Sequence, residues 1–364
     1  MSLALRIGTR SSTLALAQAN SVKDKVAQRV HGIVVEMVPI TTSGDKIRTP
    51  SLARGGGKGL FIRELEQALS DRRIDVAVHS MKDLPAILPQ QFRLAAVPRR
   101  EEPYDVLLSR SSGGWASLPH GARLGTSSIR RRLQALRARP DLEVMPLRGN
   151  VDTRLRRLQA GDFDAIILAA AGLRRLGLAR DDRATVILAS PLQQLSGGGT
   201  EMAPARGGVA GGIGDSARSA SDEIAMIELD PRTFVPSGGQ GALAVEALCD
   251  SPLAGSVEVE NAIADLTDLP TLAEITAERA FLAAIGASCV SPVGVNGRAD
   301  NEILMLRALV FSADGGQSLS GELAEELAAG TSSREQIEHT ATQLGERLGR
   351  QMLDRGAREL IAHE

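Results

Sequence analysis

The chain predicts an α/β protein of two similar anion-binding lobes, followed by a smaller α+β domain. Three observations carry this. Strand-like and helix-like runs alternate as far as Leu168, the pattern of a layered α/β sheet. Two related turns, Gly8-Thr9-Arg10-Ser11-Ser12 and Gly125-Thr126-Ser127-Ser128-Ile129-Arg130, each follow a strand and open a helix. The last hundred residues then change style, to a helix, strands and a closing helix.

Taken in order, Ala4 to Gly8 reads as a short apolar strand and Leu14 to Val30 as an amphipathic helix. Val34 to Ile40 is a second strand. A loop rich in glycine follows, with Gly55-Gly56-Gly57-Lys58-Gly59, then a helix from Leu60 to Leu69 and a buried strand from Ile74 to Ser80 that ends at Met81-Lys82-Asp83. Such alternation predicts a mainly parallel sheet with ligands at the carboxyl ends of its strands. The second unit starts near Asp105 and adds a helix after Ser128 and strands at Glu143 to Leu147 and Asp164 to Leu168. Residues 196–221 hold eight glycines with Ala and Ser between them. That composition cannot bury apolar surface and predicts a disordered surface loop, with a lid over the cleft as the alternative. Order resumes at Ile224, and Ser237-Gly238-Gly239-Gln240-Gly241 turns into a strand. A helix through Thr276 to Leu282, strands around Leu304 to Phe311 and a helix from Ser333 to His363 complete the chain.

Composition narrows the function. The 364 residues suffice for two or three domains. Aromatic residues are 2% of the chain, so the cores must be aliphatic and stacking platforms for single-stranded nucleic acid are lacking. A net charge of −2 and a pI near 6.3 give no global basic field for duplex DNA. No secretory signal opens the sequence, and no apolar run approaches the roughly 20 residues that span a bilayer. Two isolated cysteines, Cys249 and Cys289, make neither a disulfide framework nor a metal cage. A cytoplasmic protein without metal is the expectation.

Against this neutral background, residues 123–183 carry fourteen arginines and seven acids. Guanidinium groups grip carboxylate or phosphate in a planar, two-pronged way that lysine cannot reproduce. Arginines on helices mostly pair with surface carboxylates, and Arg132, Arg137, Arg139, Arg156 and Arg157 are assigned to that solvated surface. Arg130, Arg131, Arg148, Arg154 and Arg175 stand beside Gly and Ser turns and are assigned to a ligand with several negative groups. Lys58 does not have P-loop spacing, so a nucleotide triphosphatase is not expected. For Asp83, spacing alone favours a cap or a loop ion pair; the other reading is a carboxylate in a cationic cleft that passes protons. Cys289 is either a small buried hydrophobe or, in its Gly/Ser-rich loop, an exposed attachment point. Cys249 is incidental. His79 belongs in the core or behind the site, and no Ser-His-Asp or metal pattern is visible.

Together these pieces resemble the porphobilinogen deaminase (hydroxymethylbilane synthase) family. The matching stretches are Ile7 to Ser11, Gly56-Gly57-Lys58-Gly59-Leu60-Phe61, Val78-His79-Ser80-Met81-Lys82-Asp83-Leu84-Pro85, Gly125 to Arg131, Leu147 to Arg154, Ala165 to Ala169, Gly239-Gln240-Gly241-Ala242 and the Cys289 loop. The resemblance implies two periplasmic-binding-protein-like (type II) lobes, residues 1–99 with 237–260 and residues 100–236, joined by two hinge strands, and a smaller α+β domain over 265–364. It implies a monomeric transferase that joins four porphobilinogen units head to tail into hydroxymethylbilane and releases ammonia at each addition. The cofactor would be a dipyrromethane, held by a thioether to Cys289. Asp83 would be the catalytic acid. Lys82, Asp83, Thr126, Ser127, Ser128, Arg130, Arg131, Arg148 and Gly149 would bind the cofactor. Arg10, Ser12, Arg148, Arg154 and Arg175 would bind substrate carboxylates, with Lys58 at the cleft edge and Gln240 near the hinge. Arg54 stands where many members have lysine, and the Gly-rich stretch 196–221 is foreign to the family pattern. The rival class is a non-catalytic solute receptor or sensor, which would need an export signal or a DNA-binding helix pair; neither is seen.

Overall fold

The computed structural model describes residues 4–42, 62–110, 113–179, 224–250, 253–288, 291–300, 302–327 and 333–361. Lys58, Cys289, Arg54 and the Gly-rich stretch 196–221 lie outside them. The first lobe opens with β1 (Ala4–Arg10), whose Leu5 and Ile7 are fully buried, and α1 (Thr13–Arg29). Ser12 caps that helix by accepting the Ala15 N–H at 3.3 Å. β2 (Val34–Ile40), α2 (Arg63–Ser70), β3 (Val76–Ser80) and β4 (Phe92–Ala96) follow, with a 3-10 turn at Met81–Asp83 directly after β3.

The second lobe contains β5 (Asp105–Ser109), β6 (Arg123–Gly125), α3 (Ile129–Ala138), β7 (Glu143–Met145), α4 (Val151–Gln159), β8 (Ala165–Ala169), α5 (Ala170–Arg175) and β9 (Ala225–Glu228). β10 (Leu243–Leu248) then returns to the first lobe and α6 (Val257–Ala264) packs there. The strand orders are β2-β1-β3-β10-β4 and β7-β6-β8-β5-β9. In the first sheet β1 runs parallel to β2 and β3, whereas β10 is antiparallel to β3 and β4. The second repeats this: β6 is parallel to β7 and β8, and β5 antiparallel to β8 and β9. The sheets are therefore mixed, not mainly parallel. The antiparallel half consists of the strands through which the chain passes between lobes, and such strands need no helical crossover within their own sheet.

The duplication reaches side chains. Arg6, in β1, donates its N–H to Asp75 at 2.7 Å and its guanidinium at 2.8 and 3.1 Å. Arg123, at the start of β6, does the same to Asp164 at 2.8, 3.1 and 3.3 Å. Each pair locks the start of a parallel strand to the entrance of its neighbour. The two lobes thus share one sheet plan and one locking ion pair.

The C-terminal unit is built from α7 (Leu269–Ala284), the antiparallel sheet β11 (Val293–Asp300), β12 (Ile303–Phe311) and β13 (Ser318–Glu326), then α8 (Arg334–Asp354) and α9 (Ala357–Ile361). The single closing helix expected from the sequence is broken at Arg355-Gly356. Phe281, Leu306, Leu344 and Leu348 share its core with alanines, so an almost purely aliphatic interior suffices.

The three units meet where the chain crosses between lobes. Gly241 has φ +86, and a Cβ there would lie 2.3 Å from the Glu101 carbonyl. Gly239, at φ +75, would bring a Cβ to 2.8 Å from the Lys82 nitrogen. Only glycine allows the return crossover to touch both the outgoing one and the 3-10 turn. Arg100 donates to the Gln240 carbonyl at 2.7 Å and to Glu278, on α7, at 2.8 Å. Glu278 is fully buried and also accepts the N–H groups of Gly239 at 2.6 Å and Gly297 at 2.7 Å. Burial alone would push the Arg100 guanidinium down; Glu278 and Glu274 outweigh it and hold it above its ordinary value. Replacing Glu278 by Ala leaves the buried Arg100 with Glu274 as its one carboxylate and takes the acceptor from two N–H groups. It should lower unfolding free energy by about 3–5 kcal/mol, read from urea melts. A loss below about 1 kcal/mol, the scale of an exposed ion pair, would contradict this account of the joint.

Candidate functional site

The first wall of the site grows from the carboxyl ends of β1 and β3, as an α/β sheet dictates. Arg10 ends β1, Ser12 caps α1, and Lys82 and Asp83 sit on the 3-10 turn after β3. These four line a pocket of about 110 Å³ together with Gln18 and Ser80. Gln18 donates to Ser80 at 2.9 Å, which ties α1 to the end of β3 just before the turn. His79, which also lines this pocket, is buried with its Nε2 3.0 Å from an oxygen of the fully buried Glu246.

The second wall comes from the first turn of α3. Ser128 accepts the Arg131 N–H at 3.4 Å as helix cap. Thr126 is buried and accepts the Ser128 N–H at 3.2 Å, and Ser127 donates to the Leu147 carbonyl at 3.0 Å. These hydroxyls shape the turn. Arg130 and Arg131 differ from the sequence expectation of locally unpaired cations: both are buried, at 4% and 8% exposure. Both are held by Asp105, which heads β5 and is fully buried. Asp105 accepts Arg130 at 2.8 Å, Arg131 at 2.7 and 3.0 Å, and the Gln240 amide at 3.0 Å. Arg130 also donates to the Val235 carbonyl at 2.7 Å and Arg131 to that of Ile167 at 3.1 Å. Burial would raise the Asp105 carboxyl, but Arg130 and Arg131 overcome it and hold it at about 2. Asp105 carried no signal in the sequence, because it lies outside the arginine-rich segment and reads as the polar start of an apolar strand.

The remaining candidate cations lie on and before α4 and on α5 of the second lobe. Arg154, on α4, is half-buried and donates to the Gly149 carbonyl at 2.8 Å. Arg175, at the end of α5, is half-buried and donates to the Gly241 carbonyl. Arg148 and Gly149 are exposed ahead of α4. Gln240 is buried on the return crossover and donates to the Pro103 carbonyl at 2.6 Å as well as to Asp105, so its amide is spent on the joint. Of the arginines assigned to the surface, Arg132, Arg137 and Arg156 are exposed. Arg139 instead is half-buried, braced by Asp141 at 2.7 Å and by the Trp115 carbonyl.

Electrostatics joins the two walls. Burial, then Arg131, pushes the Lys82 ammonium down to about 8; Asp83 and Asp105 oppose the shift and Arg130 adds to it. Burial and Arg131 bring Arg154 down to about 10. Burial lowers Arg175 against the pull of Glu101, and burial and Arg131 lower Arg130 against the pull of Asp105. Cations that resist protonation are short of negative charge. A ligand bearing several carboxylates supplies what this cleft lacks, so these residues fit a dipyrromethane. Among the described residues no cluster of His, Cys, Asp or Glu could hold a metal ion. The chain contains five lysines, so a ¹³C-dimethyl-lysine titration resolves Lys82 directly. One resonance should titrate near 8 and vanish in Lys82→Arg; five resonances titrating together near the ordinary lysine value would refute the desolvated cleft.

Residues 5–254 match the family model described as porphobilinogen deaminase, dipyromethane cofactor binding domain, and residues 272–354 match the porphobilinogen deaminase C-terminal domain. A porphobilinogen deaminase of Syntrophobacter fumaroxidans is 39% identical over 357 residues, covering 98% of this chain and 96% of its own length. One from Roseiflexus castenholzii is also 39% identical, over 358 residues and 98% of both chains. With both domains matched in order and full-length relatives at that identity, the chain belongs to the porphobilinogen deaminase family, transferases of tetrapyrrole biosynthesis with a dipyrromethane cofactor.

Proposed function

We propose that this enzyme joins four porphobilinogen molecules head to tail into linear hydroxymethylbilane, with Asp83 as its catalytic acid and the arginine cleft as its carboxylate grip. The observation that carries the assignment is the pocket in which Lys82 and Asp83 stand with Arg10 and Ser12, where burial and then Arg131 of the second lobe lower the Lys82 ammonium. Each pyrrole unit brings an acetate and a propionate, so a growing chain adds two carboxylates per step. Arginine forks suit those groups. A net charge of −2 on the whole chain means that attraction is local to the cleft.

Residues 1–99 with 237–260 would form the lobe carrying Asp83, 100–236 the arginine lobe, and 265–364 the domain carrying Cys289. Sheet membership supports this division, since β10 lies in the first sheet and β9 in the second. Lys82, Asp83, Thr126, Ser127, Ser128, Arg130, Arg131, Arg148 and Gly149 would hold the cofactor, attached at Cys289; when bound it supplies the terminal pyrrole carbon to which the next unit is joined. Arg10, Ser12, Arg148, Arg154 and Arg175 would seat the incoming carboxylates, with Lys58 at the edge and Gln240 steadying the crossover. Arg130 and Arg131 act from behind, since their forks are already shared with Asp105.

In each cycle the aminomethyl C–N bond of porphobilinogen breaks and the nitrogen leaves as ammonia after taking a proton. The methylene left behind is electron-poor, and a carbon–carbon bond forms at it. The pyrrole carbon that has bonded then loses its proton, which restores aromaticity. Asp83 stands where positive charge develops in both half-steps, so its carboxylate stabilises the cation and carries the proton. The enzyme would act as a monomer. Among the described residues no helix is long and apolar enough to cross a membrane; a cytoplasmic location accords with the two-cysteine composition.

Asp83→Ala should remain folded, with an unchanged thermal midpoint, and lose at least about a hundredfold in kcat, the low end of general acid–base contributions. Substantial residual turnover would refute the role of Asp83. The intact mass of the purified chain should exceed its sequence mass by two pyrrole units, and Cys289→Ser should abolish the excess. An unmodified mass in active enzyme would refute the attachment.

A further inference from the structure

A second cleft, of about 920 Å³, lies between the second lobe and the C-terminal sheet. That volume falls within the range of small-molecule sites, and domain interfaces are where such sites concentrate. None of the residues assigned above to catalysis or to the carboxylate grip lines it. Its apolar lining includes Trp115 and Phe234, with ring centroids 6.4 Å apart, and Leu309 of β12. Four arginines surround them: Arg137 from the last turn of α3, Arg232 from the turn after β9, Arg307 from β12 and Arg355 from the end of α8.

The charge of this cleft does not cancel. Arg232 is satisfied by both oxygens of Asp230, at 2.8 and 3.0 Å. Arg307 is satisfied by Glu322 of β13 and by the Arg232 carbonyl at 3.0 Å. The third acid in the lining, Glu228, is taken by Tyr104 and by Arg174, which approaches at 3.4 Å. Arg137 and Arg355 meet neutral oxygens: the Ser318 hydroxyl at 3.4 Å and the Ser320 carbonyl at 3.0 Å. Among the described residues neither has a carboxylate partner, and both are exposed. Two uncompensated guanidiniums thus flank an aromatic lining in a cleft of ligand size.

We propose that this cleft is a second binding site, for a planar aromatic anion carrying two or more carboxylates. The half-buried Trp115, backed by the buried Phe234, offers a ring face to the flat body, while Arg137 from one side and Arg355 from the other take carboxylates. Arg137 lies on the same helix as Arg131, roughly 9 Å further along its axis at 1.5 Å per residue. A ligand seated here therefore joins the helix that carries Arg130 and Arg131 to the C-terminal sheet. Such a ligand restrains the relative movement of these two units.

Trp115 is the single tryptophan of the chain, so its fluorescence reports this cleft without interference. Titration of the whole enzyme with benzene-1,2,4,5-tetracarboxylate should change that fluorescence saturably. The Arg137→Gln/Arg355→Gln double variant should bind the probe at least tenfold more weakly while turning over porphobilinogen within twofold of the parent. Arg154→Gln, a change in the first cleft, should leave the titration unaltered. The proposal is overturned if no saturable change occurs up to about 1 mM, the weak end of specific binding. It is equally overturned if the double variant binds as tightly as the parent, or if Arg154→Gln abolishes the signal. Sedimentation as a dimer that Arg355→Gln dissociates, with no probe binding, would assign the cleft to a second copy of this chain and likewise overturn it.

Discussion

The grip of Asp105 on Arg130 and Arg131 is the interaction on which the rest of the site depends. Two guanidiniums inside a protein are costly unless a carboxylate meets them in good geometry. Here one fully buried acid meets both, at 2.7 to 3.0 Å, and two backbone carbonyls take further donors. One negative charge against two positive ones leaves the cluster cationic. Burial first, and then the field of Arg131, makes the charged forms of Lys82 and Arg154 harder to hold. The cleft is thereby prepared for a ligand that brings its own negative charge. The same acid reaches Gln240 on the return crossover, so the cationic wall and the joint between lobes share one anchor.

That sharing links fold to chemistry. Both lobes use the same sheet plan, and the antiparallel strands in each are those adjoining the crossovers. The crossovers touch one another only because Gly239 and Gly241 leave room, and Glu278 ties them to α7 of the C-terminal unit. Lys82 and Asp83 sit on the turn against which Gly239 packs. A substrate chain that lengthens by a pyrrole at a time needs walls whose separation can change. Here the contacts at the crossovers include a few buried charges, Asp105, Arg100 and Glu278.

Much of this was legible in the residues. The strand at Val34–Ile40 and the helix on α1 follow from apolar periodicity, and the paired turns at Gly8 and Gly125 mark the duplication. Lys82 and Asp83 were found through their motif, and the structure puts them at the end of β3 facing Arg10 and Ser12. What sequence proximity could not reveal was pairing over distance. Asp105 lies 25 positions from Arg130 and outside residues 123–183, so a tally over that segment counted cations without the acid that holds them. Strand direction was hidden for a related reason: whether a strand runs parallel depends on where the chain comes from, and a return from another lobe leaves no mark on periodicity. The second cleft was likewise invisible, because Arg137, Arg307 and Arg355 meet only after three separate elements pack together.

The most direct measurement is hydrogen exchange at arginine side chains, followed by ¹⁵N-resolved NMR on the intact enzyme. The Arg131 Nε–H donates to a carboxylate inside the protein, whereas Arg132, the next residue on α3, is exposed. Exchange at Arg131 should therefore be slower than at Arg132 by on the order of a hundredfold or more, and stay so when porphobilinogen is added. Equal rates at the two neighbours would mean that the Arg131 side chain is free in solution, and the cationic wall described here would not exist.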